Sequence, residues 1–237
     1  MYEIKLGVKS VEFSSKELMN IMNSDDSKTN IYMGAFDIYK GLIIYYQSAI
    51  DEVETKLRII DRELTNSNIV GRNNAIHQIQ SRVKKIGSIA AKLDRKGYSF
   101  SREIVEEKLA DVAGIRVTCS YTDDIYMILD SLSHQTDVTI LEIKDYIKKP
   151  KPSGYRSLHV ILEIPVFFFK ETKKVKVEIQ FRTIAMDYWA SLEHGLRYKD
   201  SHIDSKLSKR LEVSAKVIAQ MEEEMLAIRN EIEALEE

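Results

Sequence analysis

The sequence contains few of the residues that mark several common classes of protein. Its 237 residues include one cysteine, three prolines and nine glycines. A single cysteine excludes a disulfide framework and a thiolate zinc site, and it agrees with a reducing cytoplasm. So few prolines and glycines argue against a loop-rich all-β protein and against low-complexity linkers. We therefore expect a cytoplasmic protein with an ordinary packed core.

Long hydrophobic runs and an excess of one charge are also absent. The most apolar run, Ile164–Phe169, is far too short to span a bilayer, and the N-terminus lacks the apolar stretch of a signal peptide. We therefore expect no membrane association. The net charge is −2 and gives no global sign of a dedicated nucleic-acid binder. The length allows one large domain, or one domain with appendages.

The hydrophobic periodicity predicts helices on both sides of a central sheet. Apolar residues recur every three or four positions between Ala35 and Thr65, which places them on one face of a long helix. Strands are predicted at residues 113–120, 138–143, 158–164 and 175–181. Shorter helices are predicted at residues 84–95, 101–109, 123–132 and 183–198. This order indicates an α+β, or mixed α/β, fold.

The C-terminal segment has the clearest periodicity in the chain. Its residues step alternately by three and four and form a heptad seam with one polar member: Leu211, Ser214, Ile218, Met221, Met225, Ile228, Ile232 and Leu235. Such a seam packs either on its own domain or against another subunit, and the pattern leaves both possibilities open.

One predicted helix carries a polar, cationic stripe. Its members recur at helical spacings: Lys84, Ser88, Lys92 and Arg95. The stripe suits a polyphosphate, because each cation can meet a different phosphate oxygen. A run of charges is more often a solvated face, so the pattern alone does not establish a binding site.

The predicted strand 175–181 presents a second group of polar residues. Its apolar residues alternate toward one face, so Glu178, Gln180 and Arg182 share the other. This face is either a ligand surface or a solvated face with cross-strand ion pairs. Asp111 precedes the strand that carries Arg116. If the two strands are neighbours, Asp111 and Glu178 can share a divalent cation such as Mg²⁺.

The segment KPSGYRSLH, residues 151–159, has the composition of a binding loop. Pro152 and Gly154 favour a turn, which presents Tyr155 between two cations, Lys151 and Arg156. An aromatic ring among cations can stack on a nucleobase while the cations bind its phosphates. The alternative is a tyrosine that only closes the edge of the core.

Four segments occur in order along the chain: SRVKKIGSIAAKL, LADVAGIRV, KPSGYRSLH and VEIQFRTIAMDYWASLEH. Together they resemble the (p)ppGpp synthetase domain of the RelA/SpoT family. Four ordered motifs are far more specific than any one short pattern. The whole chain resembles the small alarmone synthetases, and TIAMDYWA with Asp187 resembles their RelP-type branch. The resemblance implies a nucleotidyltransferase-like fold with a mixed sheet of about five strands.

The activity that the resemblance implies is transfer of the β,γ-pyrophosphate of ATP to the 3′-hydroxyl of GTP or GDP, with release of AMP. On the donor side, Arg82 and Arg116 would sandwich the adenine. The ATP phosphates would be held by Lys84, Ser88, Lys92 and Arg95. Asp111 and Glu178 would hold Mg²⁺, and Glu178 is the best candidate to accept the 3′-hydroxyl proton.

On the acceptor side, the resemblance implies that Tyr155 stacks on guanine and that Asp187 meets the edge of the base. A carboxylate suits the adjacent N1–H and N2–H₂ donors of guanine. The residues that would position the acceptor are Lys144, Lys151, Arg156, His159 and Gln180. Arg182 and His194 also lie in matching motifs, but no contact follows for them.

Residues 1–34 are polar and irregular and are expected to form an arm before the synthetase domain, residues 35–204. The resemblance further implies that residues 205–237 form an oligomerisation helix, with a homotetramer as the assembly. None of the five histidines is followed by aspartate, so the His-Asp motif of the family's hydrolase domain is absent, and we expect synthesis without hydrolysis.

Two other functions compete with this one. A related nucleotidyltransferase would use a nucleic-acid end as acceptor, whereas Tyr155 and Asp187 suit a free guanine base. An inactive relative would only bind nucleotide or single-stranded RNA, but Asp111 and Glu178 are both present.

Overall fold

The computed structural model describes residues 29–66, 74–199 and 205–236. Six helices lie within these residues: α1 (Thr29–Asn66), α2 (Ile86–Arg95), α3 (Arg102–Lys108), α4 (Thr122–Ser133), α5 (Ile184–Lys199) and α6 (Ser205–Glu236). Five strands accompany them: β1 (Ile76–Val83), β2 (Ala113–Cys119), β3 (Thr139–Asp145), β4 (Leu158–Phe167) and β5 (Thr172–Thr183). No helix in these stretches is long and apolar enough to cross a membrane.

The five strands form one mixed sheet in the order β1-β2-β5-β4-β3. The pairs β1–β2, β5–β4 and β4–β3 are antiparallel, and β2–β5 is parallel. A parallel pair needs a long crossover, which α4, β3 and β4 supply here. The predicted α+β class and the mixed five-stranded sheet are therefore confirmed.

Helix α1 covers one face of this sheet. The residues that it buries recur at the predicted helical spacing: Leu42, Tyr46, Ile50, Val53, Leu57 and Ile60. They share the core with the alternate residues of β5, among them Val177, Ile179 and Phe181. The intervening residues of β5 therefore point to the opposite face of the sheet.

A smaller cluster joins α5 to α6. Trp189 and Ala190 of α5 pack against Ala215 of α6, together with Leu211 and Tyr155. The indole N–H of Trp189 donates to the backbone oxygen of Leu211 at 3.2 Å. The loop that carries Tyr155 is thus anchored to the C-terminal helix.

Strand β1 was not predicted from the residue pattern, although the resemblance implied five strands. It is an edge strand whose side chains are mostly exposed. An irregularity in its register lies between Ile76 and Gln78. A bulge of this kind breaks the two-residue alternation, so Ile76, Ile79 and Val83 mimic a helical spacing.

Two helix starts differ from the prediction by more than one residue. Helix α1 begins at Thr29 instead of Ala35, so the predicted arm is shortened, and residues 1–28 of that arm lie outside the described residues. Helix α2 begins at Ile86, which leaves Lys84 in the link between β1 and α2. The predicted stripe therefore consists of one linker residue and three helical ones.

The predicted heptad seam on α6 is divided between two environments. Near its start, Leu211 and Ile218 pack with Trp189. Farther along, the seam is exposed: Met221, Met225, Ile228, Ile232 and Leu235 have relative exposures between 41% and 85%. The face that α6 buries in this half is polar, since Glu222 pairs with Arg156 and Arg229 pairs with Asp123.

Two adjacent isoleucines of α1 provide a matched test of this packing. Ile60 is 3% exposed and Ile59 is 53% exposed. We expect Ile60→Ala to lower the free energy of unfolding by about 2–5 kcal/mol, because it removes buried methyl groups and leaves a cavity. Ile59→Ala should change it by less than about 0.5 kcal/mol. Chemical denaturation of both variants measures the difference, and equal losses would contradict the placement of α1.

Candidate active site

Four of the predicted site residues lie in one row across the sheet. Arg116 of β2 is opposite Gln180 of β5, Gln180 is opposite His159 of β4, and His159 is opposite Lys144 of β3. Directly opposed residues point to the same side of a sheet. Since Ile179 lies in the core under α1, this row occupies the face away from α1.

The adjacent row places Arg82 opposite Gly114 and Gly114 opposite Glu178. Gly114 has no side chain, and a Cβ there would meet only the backbone oxygen of Arg82 at 3.9 Å. The space above it opens into a cavity of about 420 Å³. The cavity is lined by Gln80, Ser81, Arg82, Lys84, Asp111, Gly114, Ile115, Arg116, Glu178 and Gln180.

Asp111 lies at one end of the cavity, just before β2. Its Oδ2 pairs with Lys84 and with Lys92 of α2, the latter at 2.7 Å. Burial raises the pKa of Asp111, but the hydrogen bonds and charges of the two lysines outweigh it, so the net pKa lies below its usual value. Asp111 is therefore a carboxylate at neutral pH. Two of the predicted phosphate-binding cations converge on it.

Glu178 faces the same cavity from β5. Its Oε1 lies 3.5 Å from Nδ1 of His159, and its Oε2 accepts a hydrogen bond from Gln180 at 3.2 Å. Hydrogen bonding from His159 lowers the pKa of Glu178, and burial and the charge of Asp111 oppose this shift without reversing it. Glu178 is also a carboxylate, and it lies near enough to Asp111 for their charges to interact.

Aromatic side chains extend the site beyond the cavity. The hydroxyl of Tyr155 lies 2.9 Å from Nε2 of His159. The ring of Tyr146 meets those of His159 and Tyr155 edge-on, with centroids 5.3 and 6.2 Å apart. Lys151 lies over both tyrosine rings, 4.5 Å from the Tyr146 centroid and 4.8 Å from that of Tyr155. This is an aromatic platform with a cation attached to it.

Asp187 lies in the first turn of α5, where the helix dipole favours a carboxylate. It accepts a hydrogen bond from Arg182 at 2.9 Å and lies 3.5 Å from Arg116. Burial and the charge of Arg182 lower the pKa of Arg116, and Asp187 opposes that shift. The structure therefore joins a residue predicted to bind adenine to one predicted to meet guanine.

The remaining predicted residues lie outside the cavity lining. Ser88 and Arg95 are exposed on α2, and Lys144 pairs with Glu142 at 3.0 Å. Arg156 is turned toward α6, where its Nη1 donates to Glu222 at 2.5 Å. That contact ties the Tyr155 loop to α6.

Gly154 fixes the loop against the same helix. Its φ is +90°, a region that favours glycine, and its N–H donates to the backbone oxygen of Lys151 at 2.8 Å. A Cβ on Gly154 would lie 2.5 Å from the Cβ of Ala215. The loop backbone therefore contacts α6 at a point where only glycine fits.

Several residues of the site were not predicted. Gln80 lines the cavity two residues before Arg82 on β1, and it was missed because that strand was not recognised in the sequence. Tyr146 follows β3, and no feature of the sequence marked it. Arg182 had no predicted contact, yet it is buried and touches three predicted acceptor-site residues.

The donor set of this cavity fits a hard divalent cation. Oδ1 of Asp111 is buried, and within the described part of the chain it has no hydrogen-bond partner. Glu178 supplies a second carboxylate to the same cavity. Mg²⁺ is commonly held by one or two carboxylates together with substrate phosphates, and it retains several waters. Across residues 29–66, 74–199 and 205–236, there is no group of three or more His, Cys, Asp or Glu that could hold a metal ion.

Comparison with known proteins identifies the family. Residues 81–203, which include all of the cavity lining except Gln80, the aromatic platform and Asp187, match the model of the region found in RelA/SpoT proteins. The GTP pyrophosphokinase YwaC of Bacillus subtilis is 39% identical over 216 residues, which cover 91% of this chain and 99% of YwaC. The chain belongs to the RelA/SpoT family.

Solved structures agree with this assignment. Small alarmone synthetase 2 from B. subtilis is 41% identical and superposes with a TM-score of 0.73. The match covers 81% of this chain and 98% of that one. Small alarmone synthetase 1 from the same organism, bound to its product pppGpp, is 35% identical with a TM-score of 0.72, over 82% of this chain and 97% of that one. Within the family, the chain is most similar in size and architecture to small alarmone synthetases.

The contact between the Tyr155 loop and α6 can be tested with two glycines. Gly154 and Gly97 both have positive φ, but of the two only Gly154 has a neighbouring atom within 4 Å of the position that a Cβ would occupy. Gly97→Ala should cost about 1 kcal/mol through backbone strain. Gly154→Ala should cost roughly 1–3 kcal/mol more, because of the collision with Ala215. Thermal unfolding of both variants measures the difference in their stability. Equal losses of stability would show that the loop does not pack tightly against α6.

Proposed function

We propose that this protein is a (p)ppGpp synthetase that transfers the β,γ-pyrophosphate of ATP to the 3′-hydroxyl of GTP or GDP. The observation that carries the proposal is the pair of carboxylates, Asp111 and Glu178, facing one cavity between phosphate-binding cations and an aromatic platform. The family match and the pppGpp-bound relative support the same reaction. In this sequence no histidine is followed by the aspartate of a His-Asp hydrolase motif, which agrees with synthesis without hydrolysis.

ATP binds on the side of β1 and α2. Lys84 and Lys92 meet the phosphates beside Asp111, and Ser88 and Arg95 extend the same polar surface along α2. Arg82 and Arg116 flank the adenine, since both line the cavity and the glycine between them leaves the sheet open. These cations offset the charge of the triphosphate, which is the main requirement of phosphoryl-type transfer.

The acceptor nucleotide binds on the side of β4, β5 and α5. Tyr155 offers its ring to guanine, with Lys151 beside it for the phosphates. His159 and Gln180 face the ribose from the sheet row, and Lys144 ends that row. Asp187 meets the guanine edge from α5. Arg156 serves the acceptor indirectly, by holding the loop to Glu222.

The reaction needs a nucleophile placed in line with the β-phosphorus of ATP and a group that takes its proton. Glu178 accepts the proton of the 3′-hydroxyl, because it faces the cavity as an ionised carboxylate. The ribose oxygen forms a bond to the β-phosphorus, the bond to the α,β-bridging oxygen breaks, and AMP leaves with that electron pair. Mg²⁺ held by Asp111 and Glu178 would neutralise charge on the phosphates.

Removal of either carboxylate tests both the reaction and the metal. Asp111→Asn and Glu178→Gln should each lower ppGpp formation from ATP and GDP by roughly 10²-fold or more, as expected for loss of a proton acceptor or metal ligand. Asp130→Asn is the control, because Asp130 is 73% exposed on α4. Chromatography of AMP and ppGpp measures turnover, and EDTA should abolish it until Mg²⁺ is restored.

Three outcomes would contradict the proposal. A folded wild-type protein that forms no product from ATP with GTP or GDP would exclude the reaction. Activity that appears only with a nucleic-acid acceptor would indicate the competing nucleotidyltransferase. Near-normal turnover of either carboxylate variant would exclude the assigned roles.

The distribution of polar and apolar residues over the faces of α6 supports an assembly of several copies. In its second half the helix buries Arg229, pairs Glu222 with Arg156 and exposes Met221, Met225 and Ile228. A contiguous exposed apolar stripe on a helix is typical of a subunit contact. Together with the resemblance to the family's tetramers, this supports a homotetramer of closed symmetry in which α6 and α1 form the contacts.

Charges placed on the exposed seam should disrupt this assembly. Ile228→Glu with Ile232→Glu should split the oligomer, because each buried unpaired carboxylate costs several kcal/mol or must take up a proton. Ala227→Glu with Ala234→Glu adds the same charge on another exposed face of α6 and should not change the mass. Light scattering over a concentration series measures the mass of both double variants and of the wild type. A wild type that is monomeric at micromolar concentration would reject the assembly.

A further inference from the structure

Arg182 is a buried cation that contacts three residues of the proposed acceptor site. It lies near the end of β5 and is 6% exposed. Its guanidinium donates to Asp187 Oδ1 at 2.9 Å, to the Tyr155 hydroxyl at 3.0 Å and to Gln180 Oε1 at 3.3 Å. It also lies 5.3 Å from the centroid of the Tyr155 ring. Arg182 does not line the cavity, so its effect on the reaction must pass through these partners.

The chemistry of arginine gives each of these contacts a direction. A guanidinium has five N–H donors and no acceptor, and it stays protonated in proteins. The Tyr155 hydroxyl therefore accepts from Arg182, which leaves its own hydrogen free to point to Nε2 of His159, 2.9 Å away. A neutral histidine that accepts at Nε2 carries its hydrogen on Nδ1. That N–H faces Glu178 Oε1 across 3.5 Å.

A second path leads from Arg182 to the same carboxylate. Arg182 holds the Gln180 side chain by its oxygen, so the amide nitrogen is turned away from the arginine. That nitrogen donates to Glu178 Oε2 at 3.2 Å. Each oxygen of Glu178 therefore faces an N–H group whose orientation depends on Arg182.

We propose that Arg182 is a positioning residue, which orients His159 and Gln180 toward Glu178 while it fixes the Tyr155 platform. The role of Arg182 in the reaction rests on the proposed function, whereas its contacts with Asp187, Tyr155 and Gln180 are present without substrate. It predicts that His159 is held as the Nδ1–H tautomer. It also predicts that loss of the arginine fork impairs the acceptor side more than it impairs ATP binding.

The competing explanation is that Arg182 only stabilises the fold through its ion pair with Asp187. Arg182→Lys separates the two, because lysine keeps the charge but cannot contact three acceptors in a plane. Arg229→Lys is a matched control. Arg229 is also 6% exposed, pairs with a carboxylate of Asp123 and lies 4.4 Å from an aromatic ring, that of Tyr121.

The direct measurement is the tautomer of His159. ¹⁵N chemical shifts of the imidazole nitrogens in histidine-labelled protein, assigned with His159→Gln, report it without any nucleotide. We expect the Nδ1–H form in the wild type and in Arg229→Lys, and loss of that preference in Arg182→Lys. Tyr155→Phe removes only the hydroxyl link and should give the same loss, which provides the test if Arg182→Lys does not fold. An Nε2–H tautomer in the wild type, or an unchanged one in the folded Arg182→Lys or Tyr155→Phe variant, would overturn the proposal.

Kinetics supply the second measurement. Arg182→Lys should lower kcat by roughly 10–100-fold, the usual effect of losing a partner that orients a ligating carboxylate. KM for GDP should rise while KM for ATP stays within about twofold. Tyr155→Phe should have little further effect on kcat in the Arg182→Lys background, because both changes break one chain. Equal rises in both KM values, or independent effects of the two substitutions on kcat, would overturn it. A wild type without synthetase activity would reject the proposed function but leave the tautomer result standing.

Discussion

The parallel pairing of β2 with β5 is the constraint on which the site depends. Its register sets Gly114 opposite Glu178 and Arg116 opposite Gln180. Asp111 lies in the turn that leads into β2, so the same pairing brings it to the cavity that Glu178 faces. A shift of one residue would turn Glu178 into the core beneath α1 and bring Ile179 to the cavity, because successive side chains of a strand alternate between faces.

The core and the site use the two faces of the same strands. Val177, Ile179 and Phe181 are buried with α1, and this burial holds β5 in the centre of the sheet. Glu178 and Gln180 between them are thereby presented on a rigid support, which a transfer reaction needs because positioning supplies much of its rate. The Tyr155 loop has a different support. It depends on α6, through Gly154 against Ala215 and Arg156 against Glu222.

Because that loop depends on α6, the proposed acceptor site is connected to the exposed apolar face of the same helix. One face of α6 holds the loop with polar contacts, and another exposes methionine and isoleucine side chains. A partner on the exposed face would restrain the helix, and the helix restrains Tyr155. The proposed assembly and the proposed acceptor site therefore share one helix.

The sequence by itself determined the helices, four of the five strands and the alternation that separates Glu178 and Gln180 from the core, because these follow from local periodicity. The family resemblance added the fifth strand, and residue roles that stay proposals. Tertiary structure decided which residues meet. Arg182 contacts Tyr155 only when the Tyr155 loop folds back over β5, and Glu222 and Arg229 of α6 turn toward the domain because they pair there with Arg156 and Asp123. No pattern along the chain encodes such pairs, since their energy comes from contacts between segments distant in sequence.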